Sequence, residues 1–201
     1  IHLGMSGSLR IAREDNLKKH DHIDICFEDG TILRYCDPRR FGCFLWSKDI
    51  DKHFLLKNLG PEPLGNSFSG DYLFYKSRKR KVPIKNFIMN SKVVVGVGNI
   101  YASEALFSAG IKPSCMAGKV PRKKYDLLAK EIVHILRKSI EEGGTTLRDF
   151  VGGDSKPGYF RQSLRVYGRE GEECYECFSI IKGKRIGQRA SAYCPKCQSN
   201  F

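Results

Sequence analysis

Hydrophobic and polar positions follow two different periods along the chain, and the period changes near residue 60. Before that point apolar residues alternate with polar ones as in strands. The segments HIDICFE and TILRYC flank Asp29-Gly30, a dipeptide typical of two-residue hairpin turns. With such a turn, Ile25 lies on the same face as Ile32. The segment FGCFLW predicts a further strand, so this region is expected to form a sheet with two partly apolar faces, as in a sandwich or barrel.

After a linker rich in glycine and proline, LGPEP, apolar residues recur at helical spacing. Helices are predicted over residues 71–80, after Pro83, between Asn99 and Gly110, and from Pro121 to Gly143. Asn99 is expected to be the N-cap of the third helix and Gly110 its C′ residue. The fourth helix has an apolar stripe that is expected to be buried: Leu128, Ile132, Ile135, Leu136 and Ile140. The segment SLRVYG predicts a short strand before the C-terminal region.

Two Cys-X-X-Cys pairs stand near the C-terminus, with sixteen residues between them: Cys174 and Cys177, then Cys194 and Cys197. This spacing is typical of a four-thiolate zinc site, although two disulfides or redox chemistry would use the same residues. The intervening segment alternates apolar and basic residues and has a break at Lys182-Gly183, which predicts two short strands and a turn. A structural zinc ion would stabilise a hairpin too small to fold alone.

Positive charge is concentrated in the second part of the chain. The net charge is +13, of which residues 1–60 contribute +1 and residues 61–201 contribute +12. Seven lysines and arginines and no acid occur from Lys76 to Lys92. This distribution indicates a polyanionic partner. No apolar run approaches the length of a membrane span. The other four cysteines lack motif spacing, which together with the zinc prediction favours a reducing compartment.

Two short motifs could contact nucleic acid. The GVGN turn before the third predicted helix would allow backbone N–H groups to approach a phosphate, and Asn99 would add a donor. The DPRRFG turn places arginines beside Phe41, a combination that can insert into a base stack. Composition alone favours Phe41 and Met5 as core residues and His20 as part of a local polar turn. Without further information, the chain is predicted to be a zinc-stabilised nucleic-acid-binding protein.

Several motifs together resemble those of bacterial formamidopyrimidine-DNA glycosylases. They are HLGMSGSLRI, DPRRFG, LGPEPL, VVGVGNIYASEALF, GGTTLRDF, KPGYF, VYGR, QRA and YCPKCQ, and they extend from Ile1 almost to Phe201. The resemblance implies an α+β fold in three parts: the C-terminal part of a β-sandwich catalytic domain at 1–60, a helix–two-turn–helix DNA-binding domain at 61–150, and a lesion loop with a zinc-finger β-hairpin at 151–201.

The family's activity is base-excision repair. The resemblance implies a bifunctional DNA-formamidopyrimidine glycosylase and DNA-(apurinic or apyrimidinic site) lyase, which removes oxidised purines such as 8-oxoguanine and formamidopyrimidines and cuts the strand by β,δ-elimination. The implied partner is damaged double-stranded DNA, bound by a monomer without membrane contact. The implied cofactor is one structural Zn²⁺, and the implied location is the bacterial cytoplasm, at the nucleoid.

The resemblance also assigns roles to individual residues. His20, Arg39, Lys81 and Asn99 match DNA-contacting positions. Met5, Arg39 and Phe41 match the three residues that fill the gap left by the extruded base. Arg189 matches the hairpin arginine that acts as proton donor in δ-elimination, and Lys156, Pro157, Gly158 and Tyr159 match the loop that closes over the lesion. The four paired cysteines match the zinc ligands.

One part of the family pattern has no counterpart in this sequence. The family nucleophile is an N-terminal proline, whose amine attacks the sugar C1′. The resemblance begins at Ile1, already inside the family's first domain. We therefore expect a fragment of an otherwise ordinary member that by itself lacks base excision.

Two alternatives remain open from the sequence. An endonuclease VIII-type glycosylase for oxidised pyrimidines has the same scaffold, but KPGYF and VYGR favour the purine enzyme. A non-catalytic zinc DNA-binding module would also have these DNA-contacting motifs.

Overall fold

The computed structural model describes residues 1–12, 16–50, 52–143 and 164–201. Its strands and helices are, in chain order, β1 (Ser8–Ala12), β2 (Asp21–Cys26), β3 (Ile32–Cys36), α1 (Gly70–Ser77), α2 (Ile84–Ile88), α3 (Asn99–Ser108), a 3-10 turn (Ala117–Lys119), α4 (Arg122–Glu141), β4 (Lys182–Ile186) and β5 (Arg189–Tyr193). The described residues divide into two compact units, 1–49 with 139–143 and 50–138 with 164–201. The mixed α+β composition is confirmed.

The first unit contains a three-stranded antiparallel sheet in the order β1-β3-β2. The β2–β3 turn differs from the prediction. Cys26 pairs with Ile32 and Ile25 pairs with Leu33, so the hairpin register is not the one that a two-residue turn at Asp29-Gly30 requires. Gly30 lies in this turn with φ of +81°, a left-handed conformation that glycine adopts without strain. The register is shifted by one residue, and Ile25 therefore shares its face with Leu33, not with Ile32.

The prediction of a strand over the segment FGCFLW is wrong. Within residues 41–46 only Cys43 makes a β-type pairing, an isolated antiparallel bridge to His2. This single bridge connects the loop at the start of the chain to the loop that follows β3.

The second unit has a helical core. Its fully buried side chains include Leu73, Ile84, Leu106, Leu128 and Ile132. Four of the five predicted stripe residues on α4 are buried, whereas Ile140, at the end of the helix that belongs to the first unit, is 65% exposed. None of the helices among the described residues combines the length and apolarity needed to cross a membrane.

The third helix, α3, begins one residue earlier than predicted, because Asn99 was expected to be its N-cap. Gly98 occupies the N-cap position and Asn99 is the first helical residue. Gly110 follows the C-cap residue Ala109 with φ of +66°, as predicted for C′.

The C-terminal hairpin has its turn at Gly187-Gln188, not at Lys182-Gly183, which lie inside β4. β5 packs against α3. The predicted strand SLRVYG is absent from residues 164–168. The backbone N–H groups there donate to a side chain instead, which leaves them unavailable for a sheet.

Candidate DNA interface and metal centre

Four cysteine side chains converge beside the C-terminal hairpin. The sulfur atoms of Cys174, Cys177, Cys194 and Cys197 all lie within 4.8 Å of one another. The Sγ atoms of Cys174 and Cys197 are 3.9 Å apart, and those of Cys177 and Cys194 are 3.4 Å apart. A disulfide requires sulfur atoms about 2.05 Å apart, so all four cysteines are free thiols and the disulfide alternative is not supported.

This donor set fits a tetrahedral metal ion. Zinc–thiolate bonds of about 2.3 Å place tetrahedral sulfur ligands roughly 3.8 Å apart, close to the Cys174–Cys197 and Cys177–Cys194 distances, and all sulfur pairs lie within 4.8 Å. Cys174 and Cys194 are fully buried and pack with Phe107, Val166 and Ile181, so the cluster belongs to a small apolar core. The prediction that these four cysteines form one group able to hold a metal is confirmed.

A buried lysine attaches the hairpin to the helical core. Lys85 on α2 is fully buried, and its Nζ donates to the Ala190 carbonyl at 3.0 Å and to Ser191 Oγ at 2.7 Å. Burial, with a smaller contribution from the charge of Arg189, lowers the pKa of Lys85 to about 8. Arg189 itself is exposed at the start of β5.

The start of α3 has the features of a phosphate site. Gly96, with φ of +76°, and Gly98 form the turn, and the first N–H groups of any helix have no intrahelical acceptor. The Oδ1 atom of Asn99 is buried without a hydrogen-bond partner among the described residues. Since side-chain amide orientation is an assignment, Asn99 can present its N–H₂ group to an incoming anion.

A basic cleft of about 580 Å³ lies in the same unit. Its lining includes Lys76, Arg80 and Lys92 together with the amides of Asn86 and Asn90, and no acidic residue among those described. The predicted DNA contact Lys81 is exposed next to Arg80. These groups favour binding of a polyanion to this unit.

In the first unit, two apolar side chains extend into solvent from adjacent loops. Met5 is 59% exposed and Phe41 is 63% exposed, which contradicts a core role for either. The guanidinium of Arg39 stands 5.6 Å from the centre of the Phe41 ring. Of the three residues predicted to fill the gap in DNA, Arg39 and Phe41 are thus neighbours, and Met5 lies in the adjacent loop, where Gly4 approaches the Phe41 backbone closely. His20 lies in the same unit, with φ of +76°.

Glu104 is a buried carboxylate that sequence reasoning missed. It is 3% exposed on α3, and its oxygens accept the backbone N–H groups of Arg165, Val166 and Tyr167 at 2.8, 3.0 and 2.8 Å. An acid inside the apolar run IYASEALF was the available signal. The burial of Lys85 and of Asp37 was not predicted either. Lys85 is one lysine in a basic run and Asp37 is one aspartate at a turn, and no sequence pattern distinguishes them from exposed residues of the same type.

The predicted lesion-loop residues Lys156, Pro157, Gly158 and Tyr159 lie outside the described residues. The other predicted site residues are each placed within one of the two units, and their roles remain predictions.

Comparison with known proteins identifies the scaffold. The model for the formamidopyrimidine-DNA glycosylase H2TH domain matches residues 59–151, and the model for the N-terminal domain of that glycosylase matches residues 1–44. The formamidopyrimidine-DNA glycosylase of Stutzerimonas stutzeri is 59% identical over 199 residues, which are 98% of this chain and 74% of that protein. That of Pseudomonas aeruginosa is 58% identical over 198 residues, 98% of this chain and 73% of that protein.

Solved structures agree with these matches. The Lactococcus lactis enzyme in complex with DNA containing an abasic site superposes with a TM-score of 0.88 at 34% identity, covering 98% of this chain and 73% of that one. The protein from Thermus thermophilus superposes with a TM-score of 0.86 at 33% identity, covering 99% and 74%. The chain thus spans about three quarters of the length of these relatives.

The fold and the cysteine cluster define a glycosylase scaffold of the helix–two-turn–helix class. Within that class, the chain belongs to the formamidopyrimidine-DNA glycosylase family. The endonuclease VIII alternative is not favoured, because the curated relatives that match at 55–59% identity are named formamidopyrimidine-DNA glycosylases.

Proposed function

We propose that this protein acts in base-excision repair, as a glycosylase and abasic-site lyase for oxidised purines in double-stranded DNA. Family membership supports the reaction class. The lesion class is supported by structure relatives in complex with DNA containing formamidopyrimidine-dG or carbocyclic 8-oxoguanine. A DNA substrate implies action at the nucleoid in the bacterial cytoplasm, and we propose that the protein acts there as a monomer.

The observation that carries the proposal is the exposure of Met5 and Phe41 beside Arg39. Exposure of apolar side chains to water is unfavourable, so two of them held outward beside an arginine indicate a surface that becomes covered. A base that leaves the duplex creates an apolar gap and leaves its partner without hydrogen bonds. Met5 and Phe41 would fill the gap, and Arg39 would supply donors to the unpaired base.

Other residues would hold the duplex without reading its sequence. In the first unit, His20 would contact the sugar-phosphate backbone. In the second unit, Asn99 and the first turn of α3 would bind one phosphate, and Lys81 would add a further cationic contact. The domain boundaries at 60 and 150 and the lesion loop at Lys156–Tyr159 belong to this proposal as well.

The metal in the cysteine cluster would be one structural Zn²⁺. Four thiolates at tetrahedral spacing are the ligand set that zinc prefers in structural sites, with no position open to substrate. When bound, zinc would supply rigidity to the hairpin rather than chemistry. The residues that would hold it are Cys174, Cys177, Cys194 and Cys197.

Arg189 is proposed to act at the strand-cleavage stage. It is exposed at the start of β5, and the buried Lys85 fixes the two residues that follow it. We expect Arg189→Ala to reduce the δ-elimination product more than it reduces DNA affinity. This variant is tested in the full-length product of the gene and not in the 201-residue chain. Equal losses of both would leave Arg189 with a phosphate-binding role only.

A binding measurement tests the proposal on the chain itself. The 201-residue protein is titrated with a duplex that has one tetrahydrofuran abasic-site analogue and with the same duplex undamaged, at about 0.15 M salt because affinity depends on ionic strength. An absent base needs no unpairing, which is worth a few kcal/mol, so the damaged duplex is expected to bind at least about tenfold more tightly. Equal affinities would refute the proposed function.

A further inference from the structure

A buried carboxylate lies under the loops that carry Met5, Arg39 and Phe41. Asp37 is 1% exposed, immediately after β3. Its Oδ1 accepts the Ser6 hydroxyl at 3.1 Å and the backbone N–H of Arg39 at 3.3 Å. Its Oδ2 accepts the Tyr35 hydroxyl at 2.9 Å and the backbone N–H of Gly42 at 2.8 Å.

These four donors come from three separate parts of the first unit. Ser6 follows Met5 in the loop before β1, and the N–H groups of Arg39 and Gly42 bracket the loop after β3. The donor from Tyr35 comes from the central strand, which is the rigid part of the sheet. Because Asp37 itself directly follows this strand, its side chain connects both exposed loops to the sheet even without the Tyr35 hydroxyl.

The two loops also touch directly. Gly4 has φ of +65°, and a Cβ at this position would lie 2.7 Å from the carbonyl carbon of Phe41. Only glycine allows this approach. The Nε atom of Arg39 lies 3.4 Å from Ser6 Oγ, so the guanidinium extends across the junction. The two loops are also joined at their base by the backbone bridge between His2 and Cys43, and Asp37 adds the side-chain connection nearest to Met5, Arg39 and Phe41.

The main chain of Asp37 also forms a hydrogen bond to His20, which is predicted to contact the DNA backbone. Its N–H donates to the His20 carbonyl at 3.0 Å, and its own carbonyl lies 2.9 Å from Nε2 of His22. His20 has φ of +76°, which is uncommon for a residue with a side chain and requires support from its surroundings. The hydrogen bond to Asp37 provides such support.

We propose that Asp37 is the positioning residue of the gap-filling group: it holds Met5, Arg39 and Phe41 at the separation that the space left by an extruded base requires. The proposal rests on the proposed function, since it concerns how these three residues are held and not whether they enter DNA. A carboxylate suits this role because it accepts hydrogen bonds at both oxygens and donates none.

The electrostatic environment agrees with a permanently ionised acceptor. The backbone N–H of Gly42, followed by the hydroxyls of Tyr35 and Ser6, lowers the pKa of Asp37 to about 2. Burial and the neighbouring Asp37 carboxylate raise the pKa of Tyr35 to about 12, which keeps the phenol protonated as a donor. Both groups thus keep complementary forms at any pH at which the protein is handled.

Three variants of the 201-residue chain separate positioning from folding. Asp37→Asn replaces one acceptor oxygen with an N–H₂ group that faces donors, so at least one loop is released. Ser6→Ala removes the hydrogen bond between the carboxylate and the Met5 loop, together with the contact to Arg39 Nε, and leaves the N–H groups of Arg39 and Gly42 bound to Asp37. Tyr35→Phe is the matched control, because it removes a buried hydrogen bond from the same carboxylate and releases neither loop. Thermal unfolding of each variant measures the folded fraction.

Each variant is titrated with the abasic-site duplex and the intact duplex. The damaged strand's partner contains 2-aminopurine opposite the abasic site, because the fluorescence of this base depends on its stacking. We expect Asp37→Asn to lower the preference for damaged DNA by about tenfold while affinity for intact DNA changes by less than about twofold. We also expect it to change the fluorescence plateau at saturation, which a smaller folded fraction would not do.

The controls decide between the outcomes. Tyr35→Phe is expected to keep the wild-type preference and plateau, and Ser6→Ala to lose part of both. If Asp37→Asn matches Tyr35→Phe in both measurements, the positioning role is wrong although damage binding stands. If Asp37→Asn does not fold, a wild-type preference and plateau in Ser6→Ala overturns the role. A wild-type protein with no preference for damaged DNA contradicts the proposed function itself.

Discussion

Lys85 Nζ donates to Ser191 Oγ at 2.7 Å, and these residues are 106 positions apart in the sequence. The hydrogen bond connects α2 to β5, the strand that begins with Arg189. The two groups that accept from Lys85, a carbonyl and a hydroxyl among the described residues, are both neutral. A buried ammonium without a carboxylate is costly, so the attachment of the hairpin depends on a charged group in an unfavourable environment.

This environment predicts an unusual dependence of stability on pH. The pKa of Lys85 is about 8 in the folded protein and about 10.5 when unfolded. Between these values the unfolded chain binds more protons, so the free energy of unfolding increases as pH rises from about 8 towards about 10. We expect Lys85→Met to remove this increase, measured by chemical denaturation at about pH 7, 8 and 9.5. The exposed Lys81→Met is the control, and the same pH slope in both variants would contradict the assignment.

Glu104 provides a second test of long-range attachment. Its carboxylate accepts three consecutive N–H groups, from Arg165, Val166 and Tyr167. Glu104→Gln would turn one N–H₂ group towards donors and is expected to destabilise the protein by about 1–3 kcal/mol, the cost of a buried unsatisfied group. Denaturant midpoints measure this effect. Glu141→Gln, an exposed acid on α4, is the matched control and should change the free energy of unfolding by less than about 0.5 kcal/mol.

Loss of a thiolate should release the metal and the hairpin together. We expect the purified protein to contain about one zinc per chain by elemental analysis, and Cys174→Ser to contain much less. Because the cluster shares its core with Phe107 and Val166, this variant should also unfold at a lower temperature and bind DNA more weakly. Cys26→Ser, an exposed thiol outside the cluster, should change neither property. Zinc content that is unaffected by Cys174→Ser would contradict the assignment of the ligands.

Asn99 should contribute to affinity but not to sequence preference. Since phosphates carry no sequence information, Asn99→Ala is expected to weaken binding about tenfold on every duplex tested, the worth of one hydrogen bond to a charged group. Filter binding on three unrelated duplexes at constant salt measures this effect. Asn66→Ala, an exposed asparagine before α1, is the control. A loss confined to one sequence would be inconsistent with a phosphate contact.

The sequence could predict features that depend on local spacing. The paired cysteines, the four helices and Gly110 at C′ follow from patterns within a few residues, and all are confirmed. Predictions that depend on counting through a turn were less accurate. The strand register at the Gly30 turn differs by one residue from the prediction, so Ile25 shares its face with Leu33 and not with Ile32. The turn of the C-terminal hairpin is at Gly187-Gln188 and not at the predicted Lys182-Gly183.

The buried polar groups could not be predicted, for a physical reason. Asp37 gains one of its partners from Ser6, 31 positions away, and Glu104 from Val166, 62 positions away. Such hydrogen bonds form only after the chain has folded, and an aspartate or glutamate has the same local pattern whether it is solvated or buried. Phe41 shows the same limit of local sequence patterns. Its aromatic side chain indicated a core residue, although it is exposed in the folded protein.

Excision of a damaged base is the defining step of the proposed repair activity. The protein expressed from its gene is incubated with duplexes containing 8-oxoguanine, a formamidopyrimidine or an oxidised pyrimidine, and the released bases and strand ends are identified by mass spectrometry. We expect release of the two oxidised purines and strand ends that carry phosphate on both sides, as β,δ-elimination leaves them. Release of the oxidised pyrimidine alone, or binding of the damaged duplexes without release of any base, would contradict this proposal.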